Sequence, residues 1–422
     1  MNKPNIVLMI SHDMGRRLGC YGEKNVPSKN IDQIASKGLV FTNYFATAPL
    51  CSPSRGSIYT GTYPHMNGLM GLVNRGWSLP KDSVTVQKKL RENGYDVILF
   101  GLQHETVDPL DMGYSKHLAP DEPNKAEKVA VAFQKFIEDR ETNKIGTPFF
   151  AVIGTTEAHR PFSNKEYEPN VIDKTYVPGY LPNDKIVKKE LSEFDGLIRA
   201  FDEAANKING AIENSIFKKN TLFIITTDHG IPFPGAKSTL YDSGIGTFLI
   251  MKGSIITNGG RYIDSLLSNI DLMPTLLDLC GVSIPKTVTG KSFVSLIFDK
   301  KYDGDDVIFA EKTWHDDYDP KRCVRTTNYK YIRNFKRVPL LLLPQDISES
   351  QSAKSEEVKV KIQQIAPQEE LYDVVNDPYE KDNLVSESKY ADILNELRVK
   401  LSEFMKRTND PILSGDVKEP NE

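Results

Sequence analysis

The chain has 422 residues, 39% hydrophobic and 26% charged, with a formal net charge of -4. That near-neutral balance gives no hint of a nucleic-acid partner, and four widely spread cysteines make no disulfide framework. The apolar run Ile6 to Ile10 is too short for a signal-peptide core or a bilayer span, so the sequence predicts a cytoplasmic protein with no membrane partner.

An alternation of apolar strands and amphipathic helices predicts an α/β fold, a large sheet covered by helices on both faces. Asn5 to Ile10 is the first predicted strand. Cys51-Ser52-Pro53-Ser54-Arg55 opens a helix, with Ser52 expected as N-cap and Pro53 as the first helical residue. Thr85 to Glu92 is helical, Gly94 ends it, and Asp96 to Phe100 is a strand. Asn124 to Asp139 carries apolar residues at helical spacing, and Pro148 to Ile153 is again a buried strand. A long helix follows, with Leu191, Phe194, Ile198, Phe201, Ala205, Ile208 and Ile212 on its inner face; Thr221 to Thr226 is the next strand. From about residue 306 short β-rich runs replace the alternation: Val307 to Ala310, Cys323 to Thr326, and Tyr329 to Asn334. Residues 346–370 are expected as a polar excursion with one surface helix, and Tyr390 to Arg407 as the last helix. The predicted units are therefore 1–305 and a smaller antiparallel-sheet unit at 306–422.

The residues fit for chemistry follow strands. The first strand runs into His12-Asp13, and the Thr221 strand into Asp228-His229-Gly230. The Asp96 and Pro148 strands lead towards His104 and His159. Ligands in open α/β sheets bind beyond the carboxyl ends of strands, so these groups converge on one site, and their joint chemistry argues for a bound cation. Cys51 lies at the positive end of its helix, where backbone N–H groups and Arg55 favour a thiolate or an oxyanion.

Cys51-Ser52-Pro53-Ser54-Arg55, followed by Gly61 and Pro64, resembles the signature of type I sulfatases in the alkaline-phosphatase-like superfamily. Gly94-Tyr95 through Gly101-Leu102-Gln103-His104 is similar to a second signature of that family. Glu370-Leu371-Tyr372-Asp373, Asp377-Pro378 and Asn383-Leu384 look like its carboxyl-terminal pattern. His65-Met66-Asn67-Gly68, Asp228 to Pro234, and Trp314-His315-Asp316-Asp317 with Arg322 resemble heparan N-sulfatases, the N-sulfoglucosamine sulfohydrolases.

The resemblance implies hydrolysis of a sulfate ester or sulfamate, from N-sulfoglucosamine in glycosaminoglycan fragments. It also implies oxidation of Cys51 to formylglycine by a formylglycine-generating or anaerobic sulfatase-maturing enzyme. One hydroxyl of the aldehyde hydrate attacks sulfur; deprotonating the other expels sulfate and regenerates the aldehyde. By matching position, His12, Asp13, Asp228 and His229 are metal ligands. Arg55 steadies the nucleophile, His104 bonds its second hydroxyl, Lys237 holds sulfate and His159 serves the leaving group. Trp314, His315, Asp316, Asp317 and Arg322 are expected to bind the sugar. The family usually has Asp at position 12, Asn at 229 and Lys at 102; this chain has His12, His229 and Leu102. The family implies calcium, whereas two imidazoles suit Mn or Zn better. An O-sulfatase, a phosphonate or phosphodiester hydrolase, and a non-catalytic relative are the alternative readings.

Overall fold

The structure, a computed structural model, describes residues 3–119, 121, 124–162 and 166–420. Its centre is an eight-stranded mixed sheet. Four neighbouring strands at its middle are parallel: Thr221–Thr227, Asn5–Ser11, Phe149–Gly154 and Asp96–Gly101, in that order. Their ends are level, because Ser11 pairs with Thr227, and Gly154 with both Ile10 and Gly101. All four carboxyl ends therefore open on one edge.

Ile6 to Ile10 are fully buried because both sheet faces are covered, as a continuous apolar strand requires. Val7 and Met9 pack with the helices Ala126–Thr142 and Lys185–Glu213, while Ile6, Leu8 and Ile10 pack on the other face with Ile58, Leu90 and Leu276. This two-residue alternation locks the register, since a one-residue slip would exchange the two cores. Strands and helices begin and end within a few residues of expectation; Thr85, for example, caps Val86–Glu92 by accepting from the Lys88 N–H.

A second sheet of four antiparallel strands comprises Val307–Trp314, Tyr318–Thr326, Tyr329–Asn334 and Glu369–Asp373. One face receives the helix Ala391–Arg407 through Leu394, Leu397, Leu401 and Phe404, with the Phe404 ring stacked 3.8 Å from Phe309. The other face packs Ile308, Ala310, Cys323 and Ile332 against Phe45, Leu240 and Ile245 of the larger part. That shared apolar cluster holds the small sheet against the larger part. Among the described residues, no helix is long and apolar enough to cross a membrane.

The helix carrying the cysteine motif differs from expectation at its start. It spans Cys51–Thr60, with Leu50 as an extended N-cap that offers no side-chain bond. Ser52 lies inside the helix, where its hydroxyl accepts from the Val73 N–H at 3.2 Å instead of capping. The helix stops at Gly61, whose φ of 65° is left-handed and costs a glycine little.

Candidate active site

Each expected histidine and aspartate lies where its strand leaves the sheet. Asp13 has a φ of 54°, so the chain reverses immediately after the first strand and turns its carboxylate towards the edge. The Asp13 N–H donates to Asp228 Oδ1 at 2.9 Å, tying the two strand ends together. Gly230 follows because a Cβ there would meet the Ser243 carbonyl oxygen at 2.0 Å.

Five ligand-type side chains converge: His12, Asp13, Cys51, Asp228 and His229, all buried, with donor atoms within 4.8 Å of one another. His12 Nδ1 is 2.7 Å and His229 Nε2 is 2.9 Å from Asp13 Oδ1. The Cys51 Sγ lies 3.3 Å from His229 Nε2. His229 turns its Nδ1 to the Gly230 carbonyl at 3.0 Å, which fixes Nε2 as the free donor atom. Arg55, one helical turn beyond Cys51, donates from Nε to Asp228 Oδ2 at 2.9 Å and from Nη2 to the Ser11 carbonyl at 3.1 Å. Its Nη1 is buried without a hydrogen-bond partner among the described residues.

The charges explain one another. Burial pulls His12 down, but the Cys51, Asp13 and Asp228 anions outweigh it and push the imidazole up to about 10. His229 is likewise raised well above the ordinary range by Asp228 and Asp13 against burial. Two imidazoles and two carboxylates, all buried with their donor atoms close together, fit one divalent cation, and the two histidines favour a borderline metal over calcium. For Cys51, burial opposes ionisation, but His12 and Lys237 hold the thiol well below its usual range.

A cavity of about 750 Å³ opens above this cluster. Cys51, His12, His104, His159, Lys237 and Asp346 line its inner part; Arg75, His315, Asp316, Gln345 and Glu349 line its outer part. His104 Nδ1 is 3.2 Å from His12 Nε2, and burial holds His104 below its ordinary range. Burial and then the Lys237 charge do the same to His159, whose Nδ1 lies 2.7 Å from the Arg160 carbonyl. Lys237 reaches Asp13 Oδ2 at 2.9 Å and Asp346 Oδ2 at 3.0 Å. The arrangement joins a nucleophile position, a cation site and a fixed ammonium in one cleft, which suits transfer of a tetrahedral oxyanion group.

The sulfatase family model matches residues 4–282, and a model of the N-sulphoglucosamine sulphohydrolase C-terminal region matches residues 235–365. The chain belongs to the sulfatase family. An ulvan-active sulfatase of Formosa agariphila is 28% identical over 97% of this chain and 81% of its own length. Human N-sulphoglucosamine sulphohydrolase is 24% identical over 96% of this chain and 91% of its own. A protein solved in complex with its substrate D-glucosamine-2-N,6-O-disulfate shares the fold with a TM-score of 0.75 at 18% identity, over 97% and 99% of the two chains. The chain is a type I sulfatase with the alkaline-phosphatase-like fold, a hydrolase of sulfate esters.

The sulfatase brings together every residue expected at its catalytic centre, but divides the expected sugar-binding set. His315 and Asp316 line the cavity, with His315 Nδ1 at 3.2 Å from Asp316 Oδ2. Arg322 does not reach it: the guanidinium is fully buried and paired with Asp410, because strand Tyr318–Thr326 directs it beneath the small sheet's terminal helix. Trp314 is half-buried, donates its indole N–H to the Val417 carbonyl at 2.8 Å and packs on Tyr318. Asp317 is exposed, outside the cavity lining, and its carbonyl accepts from the His315 N–H. Arg322 is a correction to the expectation, and Trp314 and Asp317 stand outside the cavity lining.

Sequence reasoning missed Asp346 and Glu105. Asp346 falls in the polar excursion expected on the surface, yet its end forms cavity wall. Glu105, next to His104, is fully buried, and burial against the pull of Arg55 pushes its carboxyl up to about 7.

Proposed function

We propose that this sulfatase removes the sulfate of N-sulfoglucosamine or a closely related small sulfated sugar, using a nucleophile made from Cys51. The observation that carries the reading is the Cys51 side chain at the floor of the cavity, in contact with the buried His/Asp cluster. The sugar assignment draws support from the relatives' substrates and from the matched N-sulphoglucosamine sulphohydrolase region, which supplies His315 and Asp346 to the cavity wall.

His12, Asp13, Asp228 and His229 would hold one divalent cation, which when bound polarises sulfate oxygens and acidifies the nucleophile's hydroxyl. Arg55 keeps Asp228 in place and has its Nη1 amino group left for an oxygen at position 51, where a maturing enzyme would have converted the thiol to formylglycine. Lys237 brings a desolvated ammonium to a sulfate oxygen, worth more here than in water. His104 accepts from or donates to the nucleophile's second hydroxyl. His159, oriented by its Nδ1–H to the Arg160 carbonyl, has Nε2 free to carry a proton to the leaving nitrogen or oxygen.

The test is sulfate release by matured enzyme from N-sulfoglucosamine and from 6-O-sulfated N-acetylglucosamine. The reading expects the N-sulfated sugar to be faster. It also expects His315→Ala to lower that rate more than turnover of a small aryl sulfate, whose leaving group is too short to touch the outer wall. A preference for the 6-O-sulfated sugar, or equal losses on both substrates, would retire the N-sulfatase reading and leave O-sulfatase activity in its place.

A further inference from the structure

Asp346 takes no part in the steps above, yet it stands in the innermost zone of the cavity. It sits in the short helix Gln345–Ser348, with Oδ2 3.0 Å from Lys237 Nζ and 4.0 Å from His159 Nε2. Asp13, His159 and Asp346 form a second cluster of ligand type, but the Lys237 ammonium already bonds both carboxylates and supplies the positive charge between them.

The segment 345–352, which begins with this helix, is held from three directions. Asp316 accepts from the Gln345 N–H at 2.7 Å. Glu190 accepts from the Gln351 and Ser352 N–H groups at 3.2 and 2.8 Å, and Arg160 fixes Glu190 at 2.6 Å. Lys237 is the third tether. Asp346 is therefore a carboxylate pinned beside the group that holds the sulfate, with Oδ1 buried and unpartnered among the described residues.

We infer that Asp346 reads the substituent next to the scissile sulfate, demanding a hydrogen-bond donor there and rejecting a second sulfate. The inference rests on Lys237 as the residue that holds the scissile sulfate. A carboxylate bonded to that same ammonium lies about one ring substituent away from the sulfur. A hydroxyl on the adjacent carbon can donate to it in a charge-assisted bond, whereas a sulfate there offers only acceptors and a like charge. Like charges a few Å apart in a partly buried site discriminate by roughly a hundredfold or more. It follows that a sulfate on the adjacent carbon must be removed by another sulfatase before this one acts.

The test compares two sugars that differ only in carrying a free hydroxyl or a sulfate on the carbon beside the group that is cut. Wild-type enzyme should favour the free hydroxyl by about a hundredfold in kcat/KM, and Asp346→Asn should narrow that ratio to under about tenfold. The gain should appear chiefly as a lower KM for the doubly sulfated sugar. Asp346→Ser, which removes the charge without adding an amide, should narrow the ratio too. An unchanged ratio, or equal loss on both sugars in both variants, would overturn the inference. The pair is chosen at the ring position the wild type cuts, so a failed N-sulfatase reading leaves this test intact. Sulfate release from no sugar at all would contradict both.

Discussion

Replacing Arg322 by Leu separates a structural arginine from a substrate-binding one. Arg322 donates to Asp410 from Nε at 2.5 Å and Nη2 at 2.8 Å, and from Nη1 to the Lys312 and Lys321 carbonyls at 2.9 and 3.0 Å. Leucine removes every one of these bonds and leaves Asp410 buried with the Ile412 N–H as its remaining donor at 3.2 Å. Breaking a buried, hydrogen-bonded pair by removing one partner costs about 3–5 kcal/mol. With a urea slope of about 3 kcal/mol/M, that is a fall of roughly 1–1.7 M in the unfolding midpoint. The pH dependence has a definite sign. Burial raises the Asp410 carboxyl, but the Arg322 bonds and charge outweigh it and hold it below the ordinary range. A depressed carboxyl stabilises the fold above its unfolded pKa near 4 and loses that contribution as pH falls through the folded value. The gap between wild type and Arg322→Leu should therefore be widest at neutral pH and shrink in acid, where the unpaired Asp410 is protonated. Urea melts at neutral pH and near pH 4, beside steady-state kinetics under native conditions, make the measurement. Unchanged melts with a tenfold higher KM would refute the reasoning and return Arg322 to the substrate.

Two further perturbations test the site's supports. Glu190→Gln weakens the charged anchor on the Gln351 and Ser352 N–H groups and should raise KM several-fold while kcat changes less, a loss of about 1–2 kcal/mol in binding; a fall in kcat at constant KM would contradict it. Chelation should abolish turnover and lower the thermal midpoint, and Mn or Zn should restore both at least as well as Ca; rescue by calcium alone would mean that His12 and His229 do not bind the ion.

The four parallel strands at the middle of the central sheet were legible because each is built on a short apolar run, and the catalytic edge because His and Asp follow those runs. The flanking strands Leu39–Phe41, Lys116–Leu118, Leu249–Gly253 and Arg261–Ile263 went unread, being short and, all but the first, carrying a charged side chain. The helix start was misjudged at Ser52: a Ser-Pro pair has the composition of a cap, but the Ser52 hydroxyl is taken by the Val73 N–H from a distant loop. Long-range pairing also misled the reading of Arg322, whose partner Asp410 lies 88 residues away and leaves no local trace. Asp346 escaped notice for the opposite reason. A polar, Ser- and Glu-rich segment reads as solvent-exposed, and its approach to the cavity depends on Glu190, Asp316 and Lys237, all remote in sequence.

The most direct test of the account is the chemical state of residue 51 in active enzyme. Peptide mass spectrometry on protein made in its own host should find the Cys51 thiol replaced by the aldehyde of formylglycine, in proportion to the specific activity of each preparation. Cys51→Ala should keep the wild-type melting curve and lose turnover. Full activity in a preparation whose Cys51 is entirely an unmodified thiol, or in Cys51→Ala itself, would contradict the account.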